Sequence, residues 1–191
     1  MTHIQNFRDI LESGELRSYN QMRGKSYFNL ANEDVQAGRS AIFINITGRP
    51  LHDYVPLYFG FKTPMVAINQ KFNEDLIFLR FSLDILSLLG IIITDGNARS
   101  HHTRFKRFQS LEDLTFLDVH SIRTVKYAYD KEVKRRKQAE ILVPHKIPIS
   151  QILDIICYSK KSQNRVVTLL EKFVIKKLVL IRPGWYFRRL D

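Results

Sequence analysis

The sequence contains one cysteine, Cys157, so an internal disulfide is excluded. The cysteine and the 6 histidines do not fall at the spacings that bind metal ions, so no metal site is predicted. No apolar run approaches the roughly 20 residues of a membrane helix. The residues after Met1 lack the basic and apolar regions of a signal peptide. We therefore expect a protein of the reducing cytoplasm, outside the membrane.

The common nucleotide-binding loops and the nucleophile elbow of hydrolases are also missing. These absences leave nucleotide binding by another design open. Gly/Ser-rich linkers, repeats and low-complexity tracts are absent as well. With 191 residues, 45% of them hydrophobic and 26% charged, the chain fits one globular domain over residues 1–191.

Positive charge is unevenly distributed along the chain, which carries a net charge of +11. Residues 1–98 hold 9 basic and 10 acidic side chains, whereas residues 99–137 hold 11 against 5 and residues 160–191 hold 9 against 2. A one-sided basic field attracts polyanions, and nucleic acid is the natural candidate. A solvated basic surface that only aids solubility is the alternative.

The local patterns predict a mixture of helices and strands without regular βαβ alternation, which favours an α+β fold. A helix is predicted over 5–13 with Gly14 as its stop, followed by a long loop over 20–50 with one helical segment around 30–36. Two more helices are predicted, from Ser82 to Gly90 and from Ser162 to about Phe173. The predicted strands are 76–81, 91–94, 139–143 and 154–158, with "LVLI" and "WYF" as a final hairpin-like pair.

Glu140 is the first candidate for chemistry, because it lies inside the apolar strand "AEILV". A carboxylate buried there is costly unless it has a partner or a function. The strand pattern alone favours the other interpretation, an edge strand with Glu140 in solvent. The basic run "KEVKRRKQAE" leads into this strand and would set the carboxylate beside a polyanion-binding surface, although such runs are usually solvated.

Three further features carry candidate residues. Arg39 follows Gly38 in the long loop, where a guanidinium could clamp a pyrophosphate or could be an ordinary surface arginine. In "LHDYVPLYFGFKTPM", His52 and Asp53 could be a hydrogen-bonded polar pair at the rim of the core. The pattern favours core positions for Tyr58 and Phe59 over a platform on which a base stacks. The segment "TDGNA" closes a predicted strand with a turn.

Four segments, taken in order, resemble the DarT-type DNA ADP-ribosyltransferases, the toxins of the DarT–DarG toxin–antitoxin pair. They are "THIQNFRDILESGEL", "NLANEDVQAGR", "LHDYVPLYFGFKTPM" and "TDGNA…KRRKQAEILVP". The resemblance covers about residues 1–145, and the tail "WYF" is also similar. The combination of "HDYVPLYF" with "QAEILVP" is highly specific.

The resemblance implies an ADP-ribosyltransferase fold with a central split sheet of mixed or antiparallel strands and peripheral helices. It implies NAD as co-substrate without a metal, a base in single-stranded DNA as acceptor, typically thymine, and a DarG-like macrodomain antitoxin as partner. We expect a monomer. The family's catalytic residues fall on Arg39 and Glu140, its NAD-binding motif on Thr2, His3 and Asn6, and its substrate-facing positions on His52, Tyr58, Met65 and Asn97.

The sequence departs from the family pattern at three places. The first histidine of the opening motif would fall just before Met1. Lys62 stands where the family usually has an arginine, and Tyr127 stands where it usually has a tryptophan. The first departure bears on NAD affinity, and the other two bear on acceptor specificity.

Three functions follow as hypotheses. The first is an NAD-dependent mono-ADP-ribosyltransferase that modifies single-stranded DNA as a toxin or phage-defence effector. The second is the same fold acting on guanine, RNA or protein. The third is a catalytically weak nucleic-acid-binding module, against which the presence of both Arg39 and Glu140 argues.

Overall fold

The computed structural model describes residues 1–187. Within that range, the helices are α1 (Ile4–Ser13), α2 (Glu33–Ser40), α3 (Pro64–Ile68), α4 (Val119–Arg123), α5 (Lys131–Arg136) and α6 (Lys160–Lys172). The strands are β1 (Thr2–His3), β2 (Glu15–Arg17), β3 (Phe43–Ile44), β4 (Arg49–Pro50), β5 (Tyr54–Tyr58), β6 (Leu76–Phe81), β7 (Ile92–Thr94), β8 (Phe105–Arg107), β9 (Glu140–Pro144), β10 (Lys146–Pro148), β11 (Ile152–Cys157) and β12 (Leu178–Ile181).

Two four-stranded sheets form the centre of the fold. The first sheet has the strand order β1-β6-β11-β12, and the second has the order β5-β9-β7-β8. All neighbours are antiparallel except β11 and β12, which run parallel. The predicted α+β class and the split, mixed sheet are confirmed.

Helix α1 covers the first sheet. Its apolar positions recur at helical spacing, so that Ile4, Phe7 and Leu11 are all buried on one side. Gly14 ends the helix in the left-handed conformation, with φ of 72°, which glycine adopts without steric cost. Helix α6 adds Val166 to the same hydrophobic cluster. The predicted helix over 5–13 and its stop are confirmed.

Helix α2 lies where the sequence predicts mostly loop. Asn32 caps it by accepting a hydrogen bond from the backbone N–H of Asp34, and Glu33 and Asp34 lie in its first turn. The prediction of a helical segment around 30–36 was therefore displaced towards the amino terminus. The correction matters because Arg39 belongs to the last turn of this helix, not to a loop.

Three other local predictions are corrected. Ser159, not Ser162, caps α6, and the Ser162 hydroxyl instead donates to Glu74. Ser82 does cap a helix, but the segment Leu83–Ser87 is a short 3-10 helix that ends before Gly90. The final hairpin is wrong, because β12 pairs in parallel with β11 and "WYF" contains no strand. Parallel pairing requires a crossover, which α6 provides.

Strand β9 lies inside the second sheet, between β5 and β7. Ile141 and Val143 point to one face, where they join a cluster with Ile93. Glu140 and Leu142 alternate with them, and Leu142 packs in a different cluster on the other face. This position of β9 decides the environment of Glu140.

Candidate active site

Glu140 opens strand β9, and its side chain is 0% exposed. The sequence pattern favoured an edge strand with this carboxylate in solvent, and that interpretation is wrong. Arg39 satisfies both carboxylate oxygens, donating from Nη1 to Oε1 at 3.0 Å and from Nη2 to Oε2 at 2.9 Å. The backbone N–H of Ala98 donates to Oε1 at 3.1 Å. The buried charge is therefore paired and hydrogen-bonded, which makes its burial tolerable.

Arg39 reaches the carboxylate from α2, and its side chain is 12% exposed. Burial lowers the pKa of this guanidinium, but the charge and hydrogen bonds of Glu140 offset that effect, so the pKa of Arg39 lies above its ordinary value. Arg39 consequently stays cationic. The two residues are 101 positions apart in the chain, so the pair is a long-range constraint between α2 and the second sheet.

Strand β7 and the turn after it hold the backbone of Glu140. The Thr94 hydroxyl accepts a hydrogen bond from the backbone N–H of Glu140 at 2.9 Å and donates to the Gly96 carbonyl at 2.7 Å. Asp95 accepts hydrogen bonds from the Arg135 guanidinium and from the backbone N–H of Arg104, each at 2.9 Å. The predicted turn "TDGNA" is thus a rigid support for Glu140.

Two cavities meet at Arg39. The helix cavity, of about 420 Å³, lies beside α1 and is lined by Thr2, Asn6, Tyr27, His52, Met65 and Arg39 among others. The strand cavity, of about 550 Å³, lies beside β5 and is lined by Tyr58, Met65, Asn97, Gln138, Trp185 and Arg39 among others. Both volumes are within the usual range for small-molecule sites. Glu140 lines neither cavity, because Arg39 covers its carboxylate.

The three residues at the start of the chain have different positions. Thr2 and Asn6 line the helix cavity. Asn6 also exchanges two hydrogen bonds with the backbone of Phe28, at 2.9 and 2.7 Å, and so fastens the segment that covers the cavity. His3 is buried and lines neither cavity; its ring stacks on Phe28 at 3.8 Å and its Nδ1 accepts the N–H of Gln5.

The four predicted substrate-facing residues divide between the cavities. His52 lines the helix cavity, Tyr58 and Asn97 line the strand cavity, and Met65 lines both. His52 is buried, its Nε2 has no hydrogen-bond partner within residues 1–187, and its ring lies 4.2 Å from that of Tyr19. Burial and the nearby charge of Arg39 lower the pKa of His52, so the imidazole is neutral near pH 7.

Tyr58 pairs directly across from Glu140 in the ladder between β5 and β9. Burial, reinforced by the Glu140 charge, raises the pKa of the Tyr58 phenol. The hydroxyl is therefore a donor and not a base. Asn97 is held at the opposite wall, where its side chain donates to Gln138 Oε1 at 3.1 Å and accepts the N–H of Arg99 at 3.0 Å.

The basic run after Asp130 is mostly engaged within the protein. Arg135 pairs with Asp95 and Glu132, and Arg136 pairs with Glu132 and Asp118. The predicted polyanion surface beside Glu140 is therefore smaller than the run suggests.

Lys137 is 1% exposed and donates to the carbonyls of Ile122 and Thr124 at 3.0 and 2.5 Å. Its ammonium also lies 5.5 Å from the ring of Tyr127. Burial lowers the pKa of Lys137. Lys137 therefore ties the carboxyl-terminal end of α4 to the segment that precedes β9.

Sequence reasoning missed several residues around the site. Ala98 supplies a backbone donor, for which no side-chain signal exists, and Gln138 and Trp185 line the strand cavity. Arg99 also lines that cavity, and its position directly after "TDGNA" was an available signal. Within residues 1–187, no group of three or more His, Cys, Asp or Glu side chains is arranged to hold a metal ion. In the same range, every helix is too short or too polar to cross a membrane.

Known proteins are similar to this chain in sequence and in fold. The family profile described as "ssDNA thymidine ADP-ribosyltransferase, DarT" matches residues 1–187. A DNA ADP-ribosyl transferase of Thermus sp. (strain 2.9) is 33% identical over 98% of this chain and 94% of its own length. A DNA ADP-ribosyl transferase–DNA ADP-ribosyl glycohydrolase fusion protein of Thermosipho africanus is 28% identical over 75% of this chain and 38% of the fusion.

Two solved structures are similar over nearly the whole chain. The Thermus sp. 2.9 DarT in complex with ADP-ribosylated ssDNA superposes with a TM-score of 0.90 and 30% identity, covering 97% of this chain and 93% of that one. The same protein in complex with NAD⁺ gives a TM-score of 0.83 and 29% identity, covering 97% and 94%. The chain belongs to the DarT family of NAD-dependent DNA ADP-ribosyltransferases.

Proposed function

We propose that this protein transfers ADP-ribose from NAD to a thymine ring nitrogen in single-stranded DNA, with Glu140 and Arg39 as its catalytic residues. The observation that carries the proposal is the buried, bidentate pair of these two side chains at the point where two cavities meet. A fully buried carboxylate with a single charged partner beside a cleft is typical of a catalytic site.

The reaction breaks the bond between nicotinamide and ribose, and the electron pair leaves with nicotinamide. The ribose carbon then carries oxocarbenium character, as in glycoside hydrolysis. The acceptor ring nitrogen forms the new bond to this carbon and loses its proton, so nicotinamide and one proton are released overall. Glu140 would stabilise the developing positive charge, which is the role that an ionised carboxylate in a water-poor site can serve best.

The positive charge of the Arg39 guanidinium limits the catalytic roles that this residue can have. A guanidinium is effectively always protonated, with or without a carboxylate beside it, so we do not assign Arg39 as a general base. We assign it to electrostatic stabilisation of the acceptor nitrogen as the proton departs, or of the NAD pyrophosphate. Either contact requires Arg39 to turn away from Glu140, which would uncover the carboxylate at the moment when both substrates are present.

The two cavities support a division of substrates. We assign NAD to the helix cavity, where Thr2, Asn6 and His52 are found, with His3 behind the wall. His52 would meet NAD through its buried, unpartnered Nε2. We assign the acceptor base to the strand cavity, where Tyr58 and Asn97 offer hydrogen bonds. Met65, which lines both cavities, would contact both substrates.

The biological setting is inferred from the fusion relative, which joins a DNA ADP-ribosyl transferase to a DNA ADP-ribosyl glycohydrolase. A fused enzyme that removes the modification is expected where the modification must be reversed, as for a harmful one. We therefore propose a cytoplasmic, monomeric toxin of one domain, neutralised by a DarG-like macrodomain antitoxin. Co-expression with such a glycohydrolase should restore the growth of cells that the transferase alone arrests.

Labelled NAD tests the chemistry directly. The protein would be incubated with NAD and, separately, with single-stranded DNA, duplex DNA of the same sequence, RNA and a protein mixture. We expect label on single-stranded DNA above duplex, because a paired base must be extruded at a cost of a few kcal/mol. Mass spectrometry of the digested product should place ADP-ribose on thymidine. Label on guanine, RNA or protein instead would overturn the acceptor assignment.

A further inference from the structure

Three arginines line the strand cavity, and Arg99 is the one without an internal partner. Arg39 is paired with Glu140, and Arg80 is paired with Asp154. The Arg99 side chain is exposed and makes no ion pair or hydrogen bond with any residue in 1–187. The cavity lining in that range includes no Asp or Glu. The guanidinium of Arg99 is therefore available to an anion that enters the strand cavity.

The position of Arg99 is built into the fold. Its backbone N–H is held by Asn97 Oδ1 at 3.0 Å, directly after Ala98, the residue that donates to Glu140. Its side chain crosses α2 at Gly38, where an added Cβ would lie 2.4 Å from Nε, 3.1 Å from Cδ and 3.2 Å from Cζ. A glycine inside a helix costs stability relative to alanine. Here the missing side chain leaves room for Arg99 beside Arg39.

We propose that Arg99 binds a phosphodiester of the acceptor DNA strand next to the target base, and that Gly38 positions it. This inference rests on the proposed function and extends it to the path of the strand. A planar guanidinium pairs with phosphate oxygens through two parallel hydrogen bonds. The NAD pyrophosphate is the competing anion, but Arg99 lines only the strand cavity and not the helix cavity that holds Thr2 and Asn6.

Arg99→Gln tests the phosphate contact. It removes the charge at an exposed side chain, and Arg8→Gln, an exposed residue of α1 that lines neither cavity, is the matched control. We expect the KM for single-stranded DNA to rise roughly 10-fold in Arg99→Gln, with kcat and the KM for NAD unchanged. The salt dependence of DNA binding should weaken by about 0.7 in the slope of log K against log salt, the value for one phosphate on a single strand.

A neutral linkage in the DNA identifies the contacted phosphate. Methylphosphonate would replace each phosphodiester flanking the target thymidine in turn. One replacement should weaken wild-type transfer roughly 10-fold and should have no further effect on Arg99→Gln, because both changes remove the same contact. Additive losses at every linkage would overturn the proposal. A rise in the KM for NAD alone would overturn it in favour of the pyrophosphate.

Gly38→Ala tests the positioning. The new methyl group must displace the Arg99 side chain, so the variant should reproduce the higher KM for DNA while melting at or above the wild-type temperature. The double variant Gly38→Ala/Arg99→Gln should be no worse than Arg99→Gln alone. A further loss in the double variant would show that Gly38 acts through Arg39 and would overturn this part. Absence of any wild-type transfer to single-stranded DNA is a separate result, which would refute the proposed function itself.

Discussion

The ion pair between Arg39 and Glu140 makes a quantitative prediction about stability that is separate from catalysis. Glu140→Gln removes the negative charge but keeps the size of the side chain. The amide can still accept one hydrogen bond, but its NH₂ group would face a guanidinium that also only donates. Arg39 would then remain as a cation in a site that is only 12% exposed.

The expected cost follows from the burial of the two partners. Breaking a buried ion pair by removing one partner costs about 3–5 kcal/mol. Arg39 lines both cavities and can turn towards water, so we expect a cost at or just below the lower end of this range, about 2–3 kcal/mol. For a chain of this length, that corresponds to a fall in Tm of roughly 5–10 °C. A loop arginine, as the sequence suggested, would have cost almost nothing.

The double variant Arg39→Gln/Glu140→Gln separates structure from chemistry. It places two neutral amides opposite each other and leaves no buried charge. We therefore expect it to be more stable than the sum of the single losses predicts, with a coupling energy of about 2 kcal/mol. ADP-ribose transfer should nevertheless fall at least about 100-fold in Glu140→Gln and should not recover in the double variant.

Urea unfolding followed by circular dichroism gives the free energies, and labelled NAD gives the transfer rates on the same preparations. Additive free energies in the double-mutant cycle would refute the ion pair as a feature of the folded protein in solution. Near wild-type transfer by Glu140→Gln would refute the catalytic assignment. The two halves of the reasoning can therefore fail independently.

Three other perturbations test neighbouring features. Lys137→Met should lower the free energy of unfolding by about 1–3 kcal/mol, because two carbonyls lose their donor. The exposed control Lys134→Met should stay within about 0.5 kcal/mol of the wild type, and equal effects of the two variants in urea unfolding would contradict this. The pKa of His52 is lowered in the folded state, so the unfolded state takes up the proton first as pH falls through about 6.5. The free energy of unfolding should therefore drop between pH 7 and pH 5 by more in the wild type than in His52→Gln. Parallel curves of unfolding free energy against pH would refute the lowered pKa. Phe61 is 38% exposed and lines the strand cavity, where its ring stacks on that of Trp185 with 4.7 Å between the ring centroids. Phe61→Ala should therefore weaken single-stranded DNA binding roughly 10-fold, whereas Phe61→Tyr should not. Unchanged affinity in Phe61→Ala would exclude a base-stacking role.

The motifs nominate candidate site residues, whereas the environment of those residues could not be predicted from the sequence. The strand containing Glu140 was recognised from its branched residues, but its place in the sheet depends on β5 and β7, which are distant in sequence. Alternation along one strand cannot distinguish a solvent face from a second buried face. The pattern therefore favoured exposure of a carboxylate that the structure buries completely.

The start of α2 has a helix signal in the sequence that the apolar pattern does not reinforce. Asn32 followed by Glu33 and Asp34 is a good helix start, and the two acidic residues suit the positive end of the helix dipole. The apolar periodicity that usually identifies a helix is weak here, because none of its residues is fully buried. The helix is held partly by the bond from Arg39 to Glu140, which no local window contains.

The summed charge of a sequence segment did not predict how much basic surface is available to a ligand. The excess of basic residues over 99–137 suggested a broad polyanion surface, yet Arg104, Arg135 and Arg136 are bound to carboxylates and Lys137 is buried. These contacts neutralise positive charge within the protein and stabilise the segments around Glu140. At the strand cavity, Arg99 is the lining arginine without a partner in residues 1–187, and Gly38 leaves room for its guanidinium beside Arg39. Binding of an anionic ligand at this cavity would therefore depend on which cations lack internal partners, and net charge does not contain that information.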